Sequence, residues 1–132
     1  MKKGYFGQIE DLTISNTNFR EVLYTGEHCQ LVLMSLRPGE EIGVEKHSGN
    51  DQFFRFESGE GKVLVNDVEY IVEDGDAVIV PSGAEHNVIN TGDEDLKFYT
   101  IYSPARHKDG VIRSTKEKAE ADAPEFDGQT TE

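Results

Sequence analysis

Short runs of strand-forming residues, each closed by a turn signal, fill the chain between residues 5 and 107. The runs are rich in Val, Ile, Phe and Tyr, and Gly, Pro, Asn and Asp separate them. No separator is long enough for a crossover helix, so the strands must form antiparallel sheets in a sandwich or a barrel. The predicted strands are Phe19–Thr25, Gln30–Leu36, Glu41–His47, Gln52–Glu57, Lys62–Asn66, Glu69–Val72, Ala77–Val80, His86–Asn90 and Leu96–Tyr102.

The charge balance excludes several classes of partner. The 132 residues include 26 Asp and Glu against 13 Lys and Arg, a net charge of −13. Such a chain lacks the basic surface that nucleic acids and anionic membranes require. Its longest aliphatic run, Leu31–Met34, cannot span a bilayer, and no apolar stretch follows Lys2 and Lys3 as in a signal peptide. With a single cysteine, Cys29, we expect a cytoplasmic protein.

The C-terminal segment has a different composition from the rest. Eleven of the 25 residues from Lys108 to Glu132 are charged. We therefore predict a barrel domain at residues 1–107 and an acidic polar tail outside the core at residues 108–132. Ser114 and Glu117 have capping-box spacing, and Lys116–Ala123 is rich in helix formers, so the tail is predicted to hold at most a short helix.

Polar side chains that bind metals occupy strand positions with a common orientation. Alternation along a strand puts Glu45 and His47 on one face and Lys46 on the other. Gln52 opens the following strand, and His86 opens a later one. A barrel encloses a single interior, so these faces can converge there. Two imidazoles, a carboxylate and an amide at one place would make a plausible metal site.

Five residues in fixed register carry a resemblance to a known family. Gly75, Pro81, Gly83, His86 and Asn90 match, without a gap, the second sequence motif of the cupins. That motif is Gly, five spacers, Pro, one spacer, Gly, two spacers, His, three spacers and Asn. The chain resembles a small single-domain bacterial cupin, of the group similar to mannose-6-phosphate isomerase.

The first cupin motif is present with two substitutions. Gly39, Glu45, His47, Gln52 and Gly59 have its spacing. Where the family has a second His and a Glu as metal ligands, this chain has Glu45 and Gln52. The resemblance implies an all-β fold, the double-stranded β-helix or jelly-roll barrel, which often forms dimers and holds a divalent metal ion inside.

The resemblance implies a ligand set of Glu45, His47, Gln52 and His86. Two nitrogens and one carboxylate resemble two-His-one-carboxylate sites, and the ion could be Fe, Mn, Zn or Ni. Glu45 could instead act as a general base, and Gln52 could donate to substrate. The alternative is an interior without metal, in which both imidazoles hydrogen-bond to the carboxylate and the amide.

Three classes of function remain open. The first is a metal-dependent isomerase or dioxygenase that acts on a small polar metabolite, and the second is a binding or sensor protein without turnover. The third is a structural or interaction protein that acts through its acidic tail. Lys46 and Arg55 have the opposite strand parity to His47 and Gln52, which favours a neutral or weakly acidic substrate over a phosphate, although Arg20, Lys62 or Lys97 could still reach inward. Phe54, Phe56 and Tyr99 are candidates for the substrate-binding wall.

Large apolar residues in the first strands predict self-association. Phe6, Phe19, Leu23 and Tyr24 are expected on an exposed face that needs cover, and small cupins are often dimers, so we predict a homodimer. The remaining candidates receive ordinary roles. Cys29 is expected to be buried, and His28 and His107, which lie in no motif, are expected to be surface or strand histidines.

Overall fold

Two antiparallel sheets form the body of the molecule. The structure, a computed structural model, describes residues 1–132. No helix in it combines the length and the apolar character that a membrane crossing requires. The elements are α1 (Ile9–Ser15), β1 (Arg20–Thr25), β2 (Gln30–Leu36), β3 (Glu45–Lys46), β4 (Asp51–Ser58), β5 (Glu60–Val65), β6 (Val68–Glu73), β7 (Ala77–Val80), β8 (Glu85–Asn90), β9 (Leu96–Ser103), β10 (Ile112–Arg113) and α2 (Lys116–Ala121).

The sheets enclose an apolar core. One has six strands in the order β10-β1-β2-β9-β4-β7, and the other has four in the order β3-β8-β5-β6. Burial alternates along β9 as the pleat requires, so every second side chain points inward. Phe54, Phe56 and Phe98 are completely buried in this core. Each contributes about 1.5–3 kcal/mol by leaving water. The predicted jelly-roll barrel is confirmed.

Turn chemistry explains the glycines of the two motifs. Gly75 and Gly83 have φ of +93° and +86°, a region that side chains rarely adopt. At Gly59, with φ of +91°, a Cβ atom would also lie 2.5 Å from the carbonyl oxygen of Asp95. These glycines therefore support the fold and take no part in the chemistry.

Two elements differ from the sequence prediction. The run predicted as a strand at Glu41–His47 is a strand only at β3, since Gly43 with φ of +107° interrupts the ladder and leaves Glu41 in an isolated bridge with Ile89. Helix α1 was not predicted at all. It contacts β2, β4 and β9, and Lys97 Nζ donates to the carbonyl of Asn16 just beyond its end.

The prediction that the C-terminal segment lies outside the core is wrong. Strand β10 pairs with β1, and Val111 and Ala119 belong to the buried apolar cluster. The short helix exists as α2, but its N-cap is Thr115, whose Oγ1 accepts from Lys118 N at 3.2 Å, rather than Ser114. Ala119 is the buried residue of α2, and Val111 and the pairing of β10 with β1 add to the contact of the segment with the barrel.

Candidate functional site

Two histidines and a glutamate meet inside the barrel at the junction of β3 and β8. Glu45 and His86 are cross-strand partners. Glu45 Oε2 lies 2.6 Å from His47 Nε2, although the contact is not aligned as a hydrogen bond. The ring centroids of His47 and His86 are 5.4 Å apart, edge to face. The parity argument that placed Glu45 and His47 on one face is consistent with this arrangement, and Lys46 between them is exposed.

The hydrogen bond made by His86 defines which of its nitrogens is free. His86 Nδ1 lies 3.1 Å from the carbonyl oxygen of Ala84, which can only accept. Nδ1 therefore carries the proton, and Nε2 keeps its lone pair, as a metal-binding imidazole requires. In His47, Nδ1 is buried and has no partner.

Gln52 joins the group through Tyr102, its cross-strand partner in β9. Gln52 Nε2 donates to Thr100 Oγ1 at 3.0 Å, which orients the amide. Its Oε1 is buried without a hydrogen-bond partner. The Tyr102 ring lies 6.3 Å from the His47 ring, between centroids. The site thus contains an oriented amide oxygen as well as the two imidazoles.

The donors are of the right kind for a divalent ion. Unpartnered buried polar atoms cost about 1–3 kcal/mol each, so His47 Nδ1 and Gln52 Oε1 indicate a missing partner. No group of three or more His, Cys, Asp or Glu side chains is arranged to hold an ion. The carboxylate of Glu45, which could complete such a group with the two histidines, contacts the ring of His47. The available donors are two imidazole nitrogens, one amide oxygen and this carboxylate.

Opposing effects act on the ionisation of Glu45. Burial, the largest effect, raises the pKa of its carboxyl, but the contact and charge of His47, together with Arg20 and His86, outweigh burial and lower the pKa below its usual value. Glu45 is therefore a carboxylate at neutral pH. A permanent anion suits a metal ligand better than a general base, whose pKa should lie near the working pH.

A second pair of residues extends the site toward the C-terminal segment. His107 Nε2 lies 3.3 Å from Tyr102 Oη, and their rings pack edge to face. Burial, with the charges of Arg20, Arg106 and His47, lowers the pKa of His107 to about 3. Burial raises the pKa of Tyr102 to about 12. Both are neutral at pH 7. Because His107 is buried and contacts Tyr102, the prediction that it is an ordinary surface or strand histidine is wrong.

A cavity of about 310 Å³ opens beside Glu45. Its other polar walls include Arg20, Arg106 and His107, and α2 with the residues after it closes the outer side. His47, His86 and Gln52 do not line it, so Glu45 is the residue that the cavity shares with the cluster of His47 and His86.

The aromatic candidates have three different locations. The Phe54 ring lies 6.4 Å from the His86 ring, between centroids. Phe56 packs deeper, against Phe54 and Phe98. Tyr99 lies on the outer face of β9 against Phe53, so the structure does not bring it to the site.

The alternation of side chains along β9 could have predicted that Tyr102 faces the site. Tyr102 shares the inward face of β9 with Phe98 and Thr100, all of them buried. Arg20, which faces inward with Val22, could be found in the same way. His107 follows the last long strand and has no periodicity to reveal it. Cys29, expected to be buried, is exposed.

Comparisons with known proteins agree with this architecture. Residues 32–102 match the family model for the cupin domain. The Bacillus subtilis protein YrkC is 43% identical over 125 residues, which cover 90% of this chain and 67% of that protein. The crystal structure of BH2720 from Bacillus halodurans has a TM-score of 0.89 and 41% identity, covering 91% of this chain and 96% of that one.

A more distant relative has a ligand in its name. The oxalate-binding protein of Thermotoga maritima is 34% identical over 68 residues, which cover 52% of this chain and 56% of the relative. The family match, the YrkC alignment and the structural likeness to BH2720 all include the barrel, in which both histidines of the site lie. This chain belongs to the cupin family.

Proposed function

We propose that this cupin binds a divalent metal ion inside its barrel and holds a small polar molecule against it. His86, His47, Gln52 and Glu45 would hold the ion, which is Fe, Mn, Zn or Ni. The observation that carries the proposal is the pair of buried polar atoms without hydrogen-bond partners, His47 Nδ1 and Gln52 Oε1, together with the His86 ring, which packs against the His47 ring. When bound, the ion supplies Lewis-acid polarisation of a ligand oxygen.

The carboxylate and the amide have different roles in this proposal. Glu45, anionic at neutral pH, offsets part of the charge of the ion. Gln52 offers a neutral oxygen, which Thr100 orients by accepting from the amide nitrogen. With a single carboxylate, the ion keeps a net positive charge and attracts an electron-rich oxygen of the ligand.

Binding without turnover is the second candidate function, and the ionisation of the site favours it. The pKa of Glu45 is lowered, that of Tyr102 is raised to about 12, and that of His107 is lowered to about 3. All three shifts lead away from neutrality, which is unfavourable for proton transfer. The oxalate-binding relative supports a small ligand for such a barrel. An isomerase or dioxygenase would need another group to move protons, or a redox-active ion.

Metal analysis tests the proposal. Tag-free protein is reconstituted separately with Fe, Mn, Ni and Zn, desalted and measured by elemental analysis. We expect about one ion per chain for at least one metal, and loss of that ion in the His47→Ala, His86→Ala double variant. His28→Ala is the matched control, because the His28 side chain is 92% exposed and lies 3.8 Å from the carboxylate of Glu27, away from the barrel interior.

Thermal unfolding of the same samples separates a specific loss from misfolding. The double variant should unfold cooperatively and should no longer be stabilised by the metal, whereas His28→Ala should behave as the natural chain does. Absence of metal from the natural chain under all four conditions contradicts the proposal. Retention of one ion per chain by the folded double variant contradicts the ligand assignment.

A further inference from the structure

A buried guanidinium without a partner lies beside the proposed metal site. Arg20 is 8% exposed, and it faces inward from β1 opposite Met34. Its Nε is buried with no hydrogen-bond partner, and its guanidinium forms no ion pair with a carboxylate. The Phe19 ring, with its centroid 5.3 Å from Cζ, and the more distant carboxylate of Glu45 stabilise its charge, but neither is an ion-pair partner. Buried charges in folded proteins are normally paired, so this one indicates a ligand.

The cavity of about 310 Å³ beside Glu45 provides the space for that ligand. Arg20 forms part of its wall, and Phe19, Ile42, Ala119 and Ala123 supply apolar surface. Arg106 adds a second cation, held only loosely by Glu125 at 4.0 Å. A molecule in this cavity would reach Arg20 at one point and, at another, Glu45, which is one of the proposed metal ligands.

The other charges of the cavity favour one negative group of modest size. Glu120 and Glu125 line the rim, but their side chains are 67% and 77% exposed, so solvent screens them. The charge of Arg20 acts in a medium of lower dielectric constant and is felt more strongly. The Glu45 carboxylate, which is less exposed and less screened than these two, disfavours a dianionic phosphate. A planar carboxylate matches the fork of a single guanidinium.

We infer that Arg20 is the anchor of a carboxylate-binding subsite, and that the ligand of this cupin is a small carboxylic acid whose carbon skeleton packs against the C-terminal segment. The inference rests on the proposed function, since it names the ligand class of the same site. It also narrows the expectation of a neutral or weakly acidic substrate, which rested on the parity of Lys46 and Arg55, to a carboxylic acid. Arg20 comes from a strand outside both cupin motifs.

Calorimetric titration with matched acids and amides tests the subsite. Acetate, lactate, malonate and succinate are each compared with the corresponding amide, on metal-free and metal-loaded protein. We expect at least one acid to bind more tightly than its amide. Arg20→Gln should weaken the affinity for that acid by about tenfold or more, the size of a charged hydrogen-bond pair, and leave the affinity for the amide unchanged. Arg37→Gln, at an exposed turn position, is the matched control.

Folding and metal content are measured on the same samples. Arg20→Gln should unfold at the same temperature as the natural chain or higher, because it removes an unpaired buried charge, and it should keep the same metal content. Arg20→Lys, which keeps the charge but loses the fork, should show intermediate affinity for the acid. These results distinguish loss of the subsite from loss of the fold.

The outcomes separate the subsite from the metal site. Equal affinity of the natural chain and Arg20→Gln for every acid overturns the inference. So does the absence of acid binding in the millimolar range in both metal states. Arg20-dependent acid binding by a protein that takes up no metal supports the subsite and contradicts the proposed metal site alone. Metal uptake together with acid binding that is equally tight in the natural chain and in Arg20→Gln supports the metal site and contradicts the subsite.

Discussion

His107 shows how the environment decides the ionisation of a single residue. It lies between Tyr102 and two arginines, Arg20 and Arg106, and it is almost completely buried. Burial and the like charges of the arginines both oppose its protonation, so it remains a neutral imidazole down to a pH of about 3. An unfolded chain offers neither effect, and there the same imidazole takes up a proton near pH 6.5.

This difference predicts a loss of stability in acid. Between the unfolded pKa of 6.5 and the folded pKa of about 3, the unfolded state binds one more proton at this position, so the free energy of unfolding falls as pH falls. From pH 7 to pH 5 the loss from His107 alone is about 2 kcal/mol. Urea denaturation of metal-free protein at several pH values measures it.

His107→Asn should make the profile flatter by that amount. His28→Asn is the control, since His28 is solvent-exposed and should leave the slope as it is. Identical slopes for the natural chain and His107→Asn between pH 7 and pH 5 would show that His107 is not buried in its neutral form.

At the scale of elements, one side chain of β2 holds the C-terminal segment on the barrel. Gln30 is completely buried. Its Nε2 donates to the carbonyl of His107 at 2.7 Å and to Thr25 Oγ1 at 2.9 Å. Its Oε1 accepts from the backbone N–H groups of His107 at 3.0 Å and Arg106 at 3.2 Å. The Gln30 amide thus provides hydrogen-bond partners for the backbone of Arg106 and His107, two residues that line the cavity.

Gln30→Ala should therefore destabilise the protein strongly. Loss of the amide leaves backbone groups of His107 buried without partners, at a cost of about 2–4 kcal/mol in the free energy of unfolding. Chemical denaturation measures the change. Gln8→Ala, at an exposed glutamine that makes no capping hydrogen bond, should cost less than about 0.5 kcal/mol. Similar effects of the two substitutions would show that the Gln30 contacts do not hold the segment.

At the scale of the whole molecule, an apolar row crosses the outer face of the six-stranded sheet. Ile79, Phe53, Ile101 and Leu31 are directly opposite one another across β7, β4, β9 and β2, and we call them the outer row. All are at least partly exposed, and Ile79 is 67% exposed. The homodimer expected from the sequence remains a prediction, but its basis changes. Phe19 is buried in the core, so the outer row takes its place.

Ile79→Glu should convert the predicted dimer into a monomer. A charge placed at one end of the outer row is left without a partner when the apolar interface is buried, which weakens association by several kcal/mol. Light scattering at micromolar concentration measures the mass. Ile71→Glu is the control, because Ile71 is 74% exposed but lies in β6 of the other sheet. A natural chain that is monomeric, or a dimer that survives Ile79→Glu, contradicts an interface at the outer row.

Much of the fold was accessible from the sequence because turn chemistry and strand alternation are local properties. Gly75 and Gly83 marked turns, and eight of the nine predicted runs correspond to strands of comparable extent. The inward positions of His47, Gln52 and His86 followed from the parity of their own strands. Local pattern missed α1, and it could not reveal that Gly43 would interrupt the strand predicted before His47.

The sequence by itself determined an antiparallel barrel with two histidines, a glutamate and a glutamine at inward strand positions, since each of those properties depends on a few neighbouring residues. Only the tertiary structure decided what surrounds them. Gln30 and His107 are 77 residues apart and meet because of the order of strands in the sheet, and the same order brings Arg20 beside Glu45. Arg20 and His107 are shielded from water only when the whole barrel is assembled, so no local sequence pattern encodes their burial.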